Sequence, residues 1–221
     1  MAGRREQQKR GRERRILRAA ARLFATKGYP ETAMEDVAAS ADLAVGTLYN
    51  YFRSKSGLLL AILQRETDQL LASGRRVIEA PPKDPIDAVA ALIGTYLDVF
   101  AHHERRLWRD LMAAAIADPD GVGAAAFQAD LRLLAQLVSL LESLRARGVL
   151  GAQEEAGRSA ITLYSIYFTW FSAFLVNEGM TIESLREEIR RGVGLAMRGL
   201  LPLGEDRGAG RGAASREGGK P

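Results

Sequence analysis

The chain has 221 residues, with 31 Lys+Arg against 27 Asp+Glu, a formal net charge of +4 and 47% apolar residues. That is ample for a core, in one large domain or in a small one joined to a medium one. There are no cysteines, which excludes disulfides, thiolate nucleophiles and Cys-ligated zinc, and which fits a reducing cytoplasm as the expected compartment.

The charge is unevenly spread. Residues 1–57 carry 12 Lys+Arg against 6 Asp+Glu, residues 58–203 carry 15 against 18, and the tail from 204 carries 4 against 3. A basic end on an otherwise balanced chain is the electrostatic footprint of a protein that meets phosphates at one end. No apolar run follows the basic N-terminus, so it does not read as a secretory signal.

Taken in chain order, residues 1–11 are too polar to pack and read as a disordered basic arm. A first helix is predicted from about Arg12 to Lys27, with Ile16, Ala20, Leu23 and Phe24 inward and Gly28 as its C-cap. Thr32 with Glu35 three residues on reads as a capping box. It opens a second helix whose apolar face is Met34, Val37, Ala38 and Ala41. Asp42-Leu43 falls where the chain must reverse, and Asp tolerates the left-handed conformation such a turn needs. A short third helix buries Leu48 and Phe52 and leaves Thr47, Tyr49, Asn50 and Tyr51 on other faces. Ser54-Lys55-Ser56 starts a fourth helix, with Leu58, Leu59, Ile62, Leu63, Leu70 and Leu71 at helical spacing.

Ala80-Pro81-Pro82-Lys83 interrupts the pattern, and Asp84 caps the next helix with Pro85 in its first turn. His102-His103 mark a joint, and a further helix runs through Leu107, Trp108, Leu111, Met112 and Ile116. Asp118-Pro119-Asp120-Gly121 is a stop. A long helix from about Ala124 to Arg147 ends at Gly148. The last two helices span roughly 153–178 and 181–201, with Gly179 as C-cap and Thr181 as N-cap. The Gly-rich residues from 204 read as a flexible tail.

Ser159–Asn177 is uncharged and near the length of a membrane span. Its small polar stripe of Thr162, Ser165, Thr169 and Ser172 suits a bundle or dimer interface instead, so no membrane partner is expected. No alternating run reads as a strand. The expected fold is all-α, with about nine helices. It divides into an arm (1–11), a helix-turn-helix unit (12–57, motif about 35–54), a helical body (58–203) and the tail (204–221).

Three stretches carry a resemblance: Leu23-Phe24-Ala25-Thr26-Lys27-Gly28-Tyr29, Thr32 followed by Val37-Ala38, and Gly46-Thr47-Leu48-Tyr49-Asn50-Tyr51-Phe52 with Lys55 after it. In this order and spacing the first quarter of the chain resembles the TetR family of bacterial transcriptional regulators. Asp42 stands where that family most often has Gly, and Ala44 where a Ser commonly caps the reading helix, a loss of about 1 kcal/mol.

The resemblance implies double-stranded DNA as partner. Thr47, Tyr49, Asn50 and Tyr51 then face the duplex, with Val45 and Gly46 at the start of the reading helix and Gly46 letting the backbone approach. Asn50 has the amide that pairs bidentately with adenine in the major groove. Tyr49, Tyr51, Lys55 and Thr32 are expected on phosphates. Each has a plain alternative: the tyrosines pack in the three-helix core, and Asn50 is a solvated side chain. The resemblance also implies a homodimer through the last two helices. Two reading helices then lie about 34 Å apart over a palindrome, with Leu185, Ile189, Val193, Leu195, Met197 and Leu200 supplying apolar surface.

It further implies a small-molecule effector in the body. Tyr96, Phe100, Trp108, Met112, Phe127, Tyr164, Phe168 and Phe171 are the candidates for an apolar cavity, weighed against ordinary core packing. The few charges on these helices favour a hydrophobic effector. No metal or cofactor is expected: adjacent His102 and His103 point about 100° apart on a regular helix and do not share one ion. There is no phosphate loop, nucleophile elbow or metal cluster, so an enzyme is not expected. The sequence therefore reads as a repressor released by its effector, with an effector-insensitive activator or nucleoid-type protein as the alternative.

Overall fold

The computed structural model describes residues 2–98, 104–151 and 155–198; Phe100, His102, His103, Leu200 and the tail from 204 lie outside the described residues. Nine α-helices and no strand are found among them: α1 Ala2–Thr26, α2 Met34–Ser40, α3 Val45–Tyr49, α4 Lys55–Glu79, α5 Pro85–Asp98, α6 Arg105–Ala117, α7 Ala124–Ala146, α8 Ala156–Val176 and α9 Ile182–Met197. The all-α expectation stands.

In the structure residues 2–11 are the first turns of α1, where the sequence reads as a disordered arm. Arg, Gln, Glu and Lys lose little side-chain freedom in a helix. Glu6 and Arg10, four apart, form an exposed ion pair at 3.3 Å, the spacing that supports a helix extended from a packed segment. The packed segment itself supplies Ile16, Ala20 and Phe24, each fully buried. α1 ends where expected: Gly28 has φ +104 and its N–H donates to Leu23 O at 3.2 Å.

α2 starts one residue later than the sequence indicated. Thr32 is 2% exposed, and its hydroxyl donates to Gly28 O at 2.6 Å. It thus satisfies a carbonyl left over by the α1 terminus rather than an N–H of α2. Ala33 is the half-in residue, and Asp36, not Glu35, reaches back to accept from the Ala33 N–H at 2.9 Å. Asp36 also pairs with Lys27. That hydrogen bond, then the one from Ala33, hold its carboxyl below the usual carboxylate range.

The body is a bundle in which α4 packs against α7 and α5, α5 against α9, and α8 against α7 and α9. Asp84 caps α5 by accepting from Asp87 N at 2.9 Å, and Thr181 caps α9 by accepting from Ser184 N at 3.1 Å, both as expected. The Asp118 stop is also a start. Its carboxylate accepts from Gly121 N and Val122 N at 3.1 and 3.2 Å, opening a π-helical turn, Pro119–Gly123, that feeds α7. Gly148, at φ +71, closes α7 with Val149 N donating to Leu144 O at 3.0 Å.

α8 ends at Val176, before the expected Gly179 cap. Asn177 turns the chain there, its side chain accepting from Gly179 N and its carbonyl from Met180 N, both at 3.1 Å. Arg105 of α6 adds bonds to Asn177 O at 2.5 Å and Met180 O at 2.7 Å, and its guanidinium lies 3.9 Å from the Phe174 ring centroid. α8 and the stretch Pro119–Ala146 are long and apolar enough to cross a membrane, but both are packed into the bundle.

Candidate functional site

The reading end is built from α1–α3 and the first turn of α4. Leu48 of α3 is fully buried, as are Val37, Ala38 and Ala41 of α2, so the angle between the two helices is fixed by apolar contact. Burying a leucine contributes about 1.5–3 kcal/mol. The turn between them places Asp42 at φ +54, the left-handed conformation expected of it. Arg22 of α1 donates to Ser40 Oγ at 2.8 Å and ties α1 to the end of α2.

With Leu48 inward, α3 turns Tyr49 (44% exposed) and Asn50 outward. Gly46 is exposed, and a β-carbon there would meet nothing within 4 Å. Val45 and Thr47 are half-buried. Tyr51 and Phe52 are half-buried and pack against the core, so packing claims much of Tyr51. Two expected phosphate contacts are already engaged within the protein. The Thr32 hydroxyl is used on Gly28, and Lys55 Nζ donates to Pro30 O at 2.9 Å while sitting 4.7 Å from the Tyr29 ring centroid. Gly46, Tyr49 and Asn50 are thus exposed and Thr47 half-buried, while Thr32 and Lys55 bond the carbonyls of Gly28 and Pro30.

The body holds a cavity of about 80 Å³ lined by α4, α6, α7 and α8. Five of the expected residues line it: Trp108, Met112, Tyr164, Phe168 and Phe171. Two do not. Tyr96 is fully buried behind the cavity, its hydroxyl donating to Leu133 O at 3.1 Å, and burial pushes its phenol pKa up. Phe127 is 60% exposed, on the outer face of α7. Tyr167, Asp130, Glu66 and Thr67 also line the cavity. Tyr167 was legible as the residue between Tyr164 and Phe171 at spacings of three and four. Asp130 was legible as the one acid among residues 124–141.

The aromatics of α8 form one continuous wall, with Tyr164–Tyr167 centroids 5.4 Å apart and Tyr167–Phe171 stacked at 5.9 Å. Asp130 faces it: burial pushes its carboxyl up, partly offset by the Tyr164 hydroxyl. Among the described residues, no group of three His, Asp or Glu side chains is placed to hold a metal.

α6 joins cavity and reading end. It contributes Trp108, Leu111, Met112 and Ala115 to the cavity wall. On its other side, Asp110 accepts from Tyr29 N at 2.7 Å and Arg106 pairs with Glu31 at 3.3 Å.

The expected dimer surface is corrected in part. Leu185, Ile189, Val193 and Met197 of α9 are at most 2% exposed, because α9 spends its apolar face on α5 and α8. Leu195 stays out at 62%. The outward face lies mainly on α8, with Ile161 at 55% and Val176 at 78% exposed and the small polar stripe between them. Thr162, Ser165 and Ser172 donate their hydroxyls back to carbonyls four residues earlier.

A buried-anchor helix-turn-helix on a helical body with an internal cavity defines the class. Residues 16–62 match the family model for bacterial regulatory proteins of the tetR family, and the relatives and solved structures that the chain resembles point to the same family. It is 38% identical over 82 residues to the transcriptional repressor KstR of Rhodococcus jostii, a match spanning 37% of either chain. Among solved structures, Salmonella enterica GusR is 25% identical with a TM-score of 0.68, over 87% of this chain and 96% of that one. Thermus thermophilus FadR, a TetR family transcriptional repressor solved with lauroyl-CoA, is also 25% identical, with a TM-score of 0.62 over 93% of this chain and all of that one.

Proposed function

We propose that the protein is a transcriptional repressor that binds a palindromic operator as a homodimer and is released by a small, largely apolar effector. The observation that carries the DNA-binding reading is the division of labour within α3, where Leu48 is fully buried while its neighbours Tyr49 and Asn50 are exposed. Asn50 reads a base edge, Thr47 and Tyr49 hold phosphates, and Gly46 admits close approach of the backbone. The proposed compartment is the cytoplasm, where bacterial DNA lies.

For the dimer, the supporting observation is the outward face of α8. The hydroxyls of Thr162, Ser165 and Ser172 are satisfied within the helix, so a second copy covers these three without stranding them. For the effector, the support is the aromatic cavity, and the route to DNA runs through α6 to Tyr29 and Glu31. Selection of bound sequences from random duplex DNA at two salt concentrations tests the reading. A palindrome with half-sites about one helical turn apart is expected. Recovery of no motif, with binding that vanishes as salt rises, overturns it in favour of non-specific phosphate attraction.

A further inference from the structure

The cavity walls hold an imbalance of charge. Asp130 lines it, and among the described residues no Lys, Arg or His does. Among the described residues no cation acts on the Asp130 carboxyl; burial and the Tyr164 hydroxyl account for its shift. The phenols of Tyr164 and Tyr167 are pushed up first by burial, with the Asp130 charge a further cause for each. The negative field therefore reaches across the cavity to the aromatic wall. Tyr164 Oη is buried without a hydrogen bond of regular geometry.

We propose that the cavity takes a lipophilic cation, its ammonium head set between the Asp130 carboxylate and the faces of Tyr164, Tyr167 and Trp108. This rests on the reading of the cavity as the effector site and names the class of effector. A half-buried carboxylate without a cationic partner is costly. A neutral ligand deepens that cost by excluding water, and an anion adds repulsion. A cation pairs with the carboxylate and gains from the ring quadrupoles as well. The free volume, about 80 Å³, suits a compact head group. Phe168 lines the cavity and is 37% exposed, marking the side on which an apolar tail leaves.

The test is calorimetric titration of the full chain with three probes: benzyltrimethylammonium, its uncharged isostere neopentylbenzene, and the anion 3-phenylpropionate. The cation is expected to bind at least about tenfold more tightly than the isostere. Asp130→Asn should bring the two within about twofold without lowering Tm, while Asp130→Glu retains the preference. Tighter binding of the isostere or the anion, a preference that survives Asp130→Asn, or no saturable cation binding overturns the proposal. Repeating the titrations on the protein–DNA complex separates the two readings. A neutral or anionic probe that binds and weakens DNA affinity sinks the cation and keeps the effector site. A cation that binds through Asp130 yet leaves DNA affinity unchanged keeps the cation proposal and sinks the effector role.

Discussion

The reading end and the body solve opposite problems with similar helices. In the reading end, short helices are held by a few small apolar contacts, and the side chains exposed at the end of α3 are amphipathic or polar: Tyr49 and Asn50. In the body, longer helices bury most of their large aromatics, and what stays out on α8 is a mixed face, Ile161, Phe168 and Val176 beside Thr162, Ser165 and Thr169. The contrast teaches that exposure means different things at the two ends. A polar outer face on a rigid short helix suits a hydrated, charged partner. An outer face of apolar side chains and small hydroxyls suits a protein surface.

The largest expected effect breaks the reading end at its anchor. Leu48→Ala should cost about 2–5 kcal/mol, measured by chemical denaturation, and should abolish operator binding. A cost under 1 kcal/mol would mean that α2 and α3 do not depend on this contact. Asn50→Ala separates reading from folding: unfolding should be unchanged while specific DNA affinity falls by about 1–3 kcal/mol. Sequence preference should relax at one position per half-site, and an unaltered preference would remove Asn50 from direct readout.

Between the two regions, Asp110→Ala removes the acceptor for Tyr29 N and should cost about 1–2 kcal/mol. Its sharper readout is effector-induced release of DNA, which should weaken although effector binding is retained. On the body, Ile161→Arg should shift the protein from dimer to monomer by light scattering while its melting temperature moves little. A dimer that persists would place the interface elsewhere.

The smallest effect concerns pH. Asp36 is held low by Lys27 and by the Ala33 N–H, so its contribution is complete above the ordinary carboxylate pKa and is lost as pH falls through the lowered value. Lower amide protection at the start of α2, after correction for the intrinsic exchange rate, is expected on acidification, and Asp36→Asn should abolish that loss.

Local signals carried the elements well. Gly28, Asp42, Asp84, Gly148 and Thr181 act as the sequence reading expected, because caps and left-handed turns depend on the residue and its immediate neighbours. The buried anchor Leu48 and the exposed Asn50 were also legible, since helical periodicity separates the faces of a short helix.

Tertiary structure decided what local pattern leaves open. Thr32 has the chemistry of a cap, but the fold spends its hydroxyl on Gly28, and Asp36 takes the part assigned to Glu35. Lys55 has the charge for a phosphate, but the loop around Tyr29 and Pro30 already engages it. Arg105, distant in sequence, bonds the carbonyls of Asn177 and Met180 where α8 ends ahead of Gly179. The apolar face of α9 was plain in the sequence, yet whether it met its own chain or another copy was not. Periodicity says that a face is buried, and only the packing of α5 and α8 against α9 says by what. The cavity shows the same division: the aromatics of α8 were legible as a stripe, but the meeting of that stripe with Asp130 of α7 and Trp108 of α6 depends on how the helices cross.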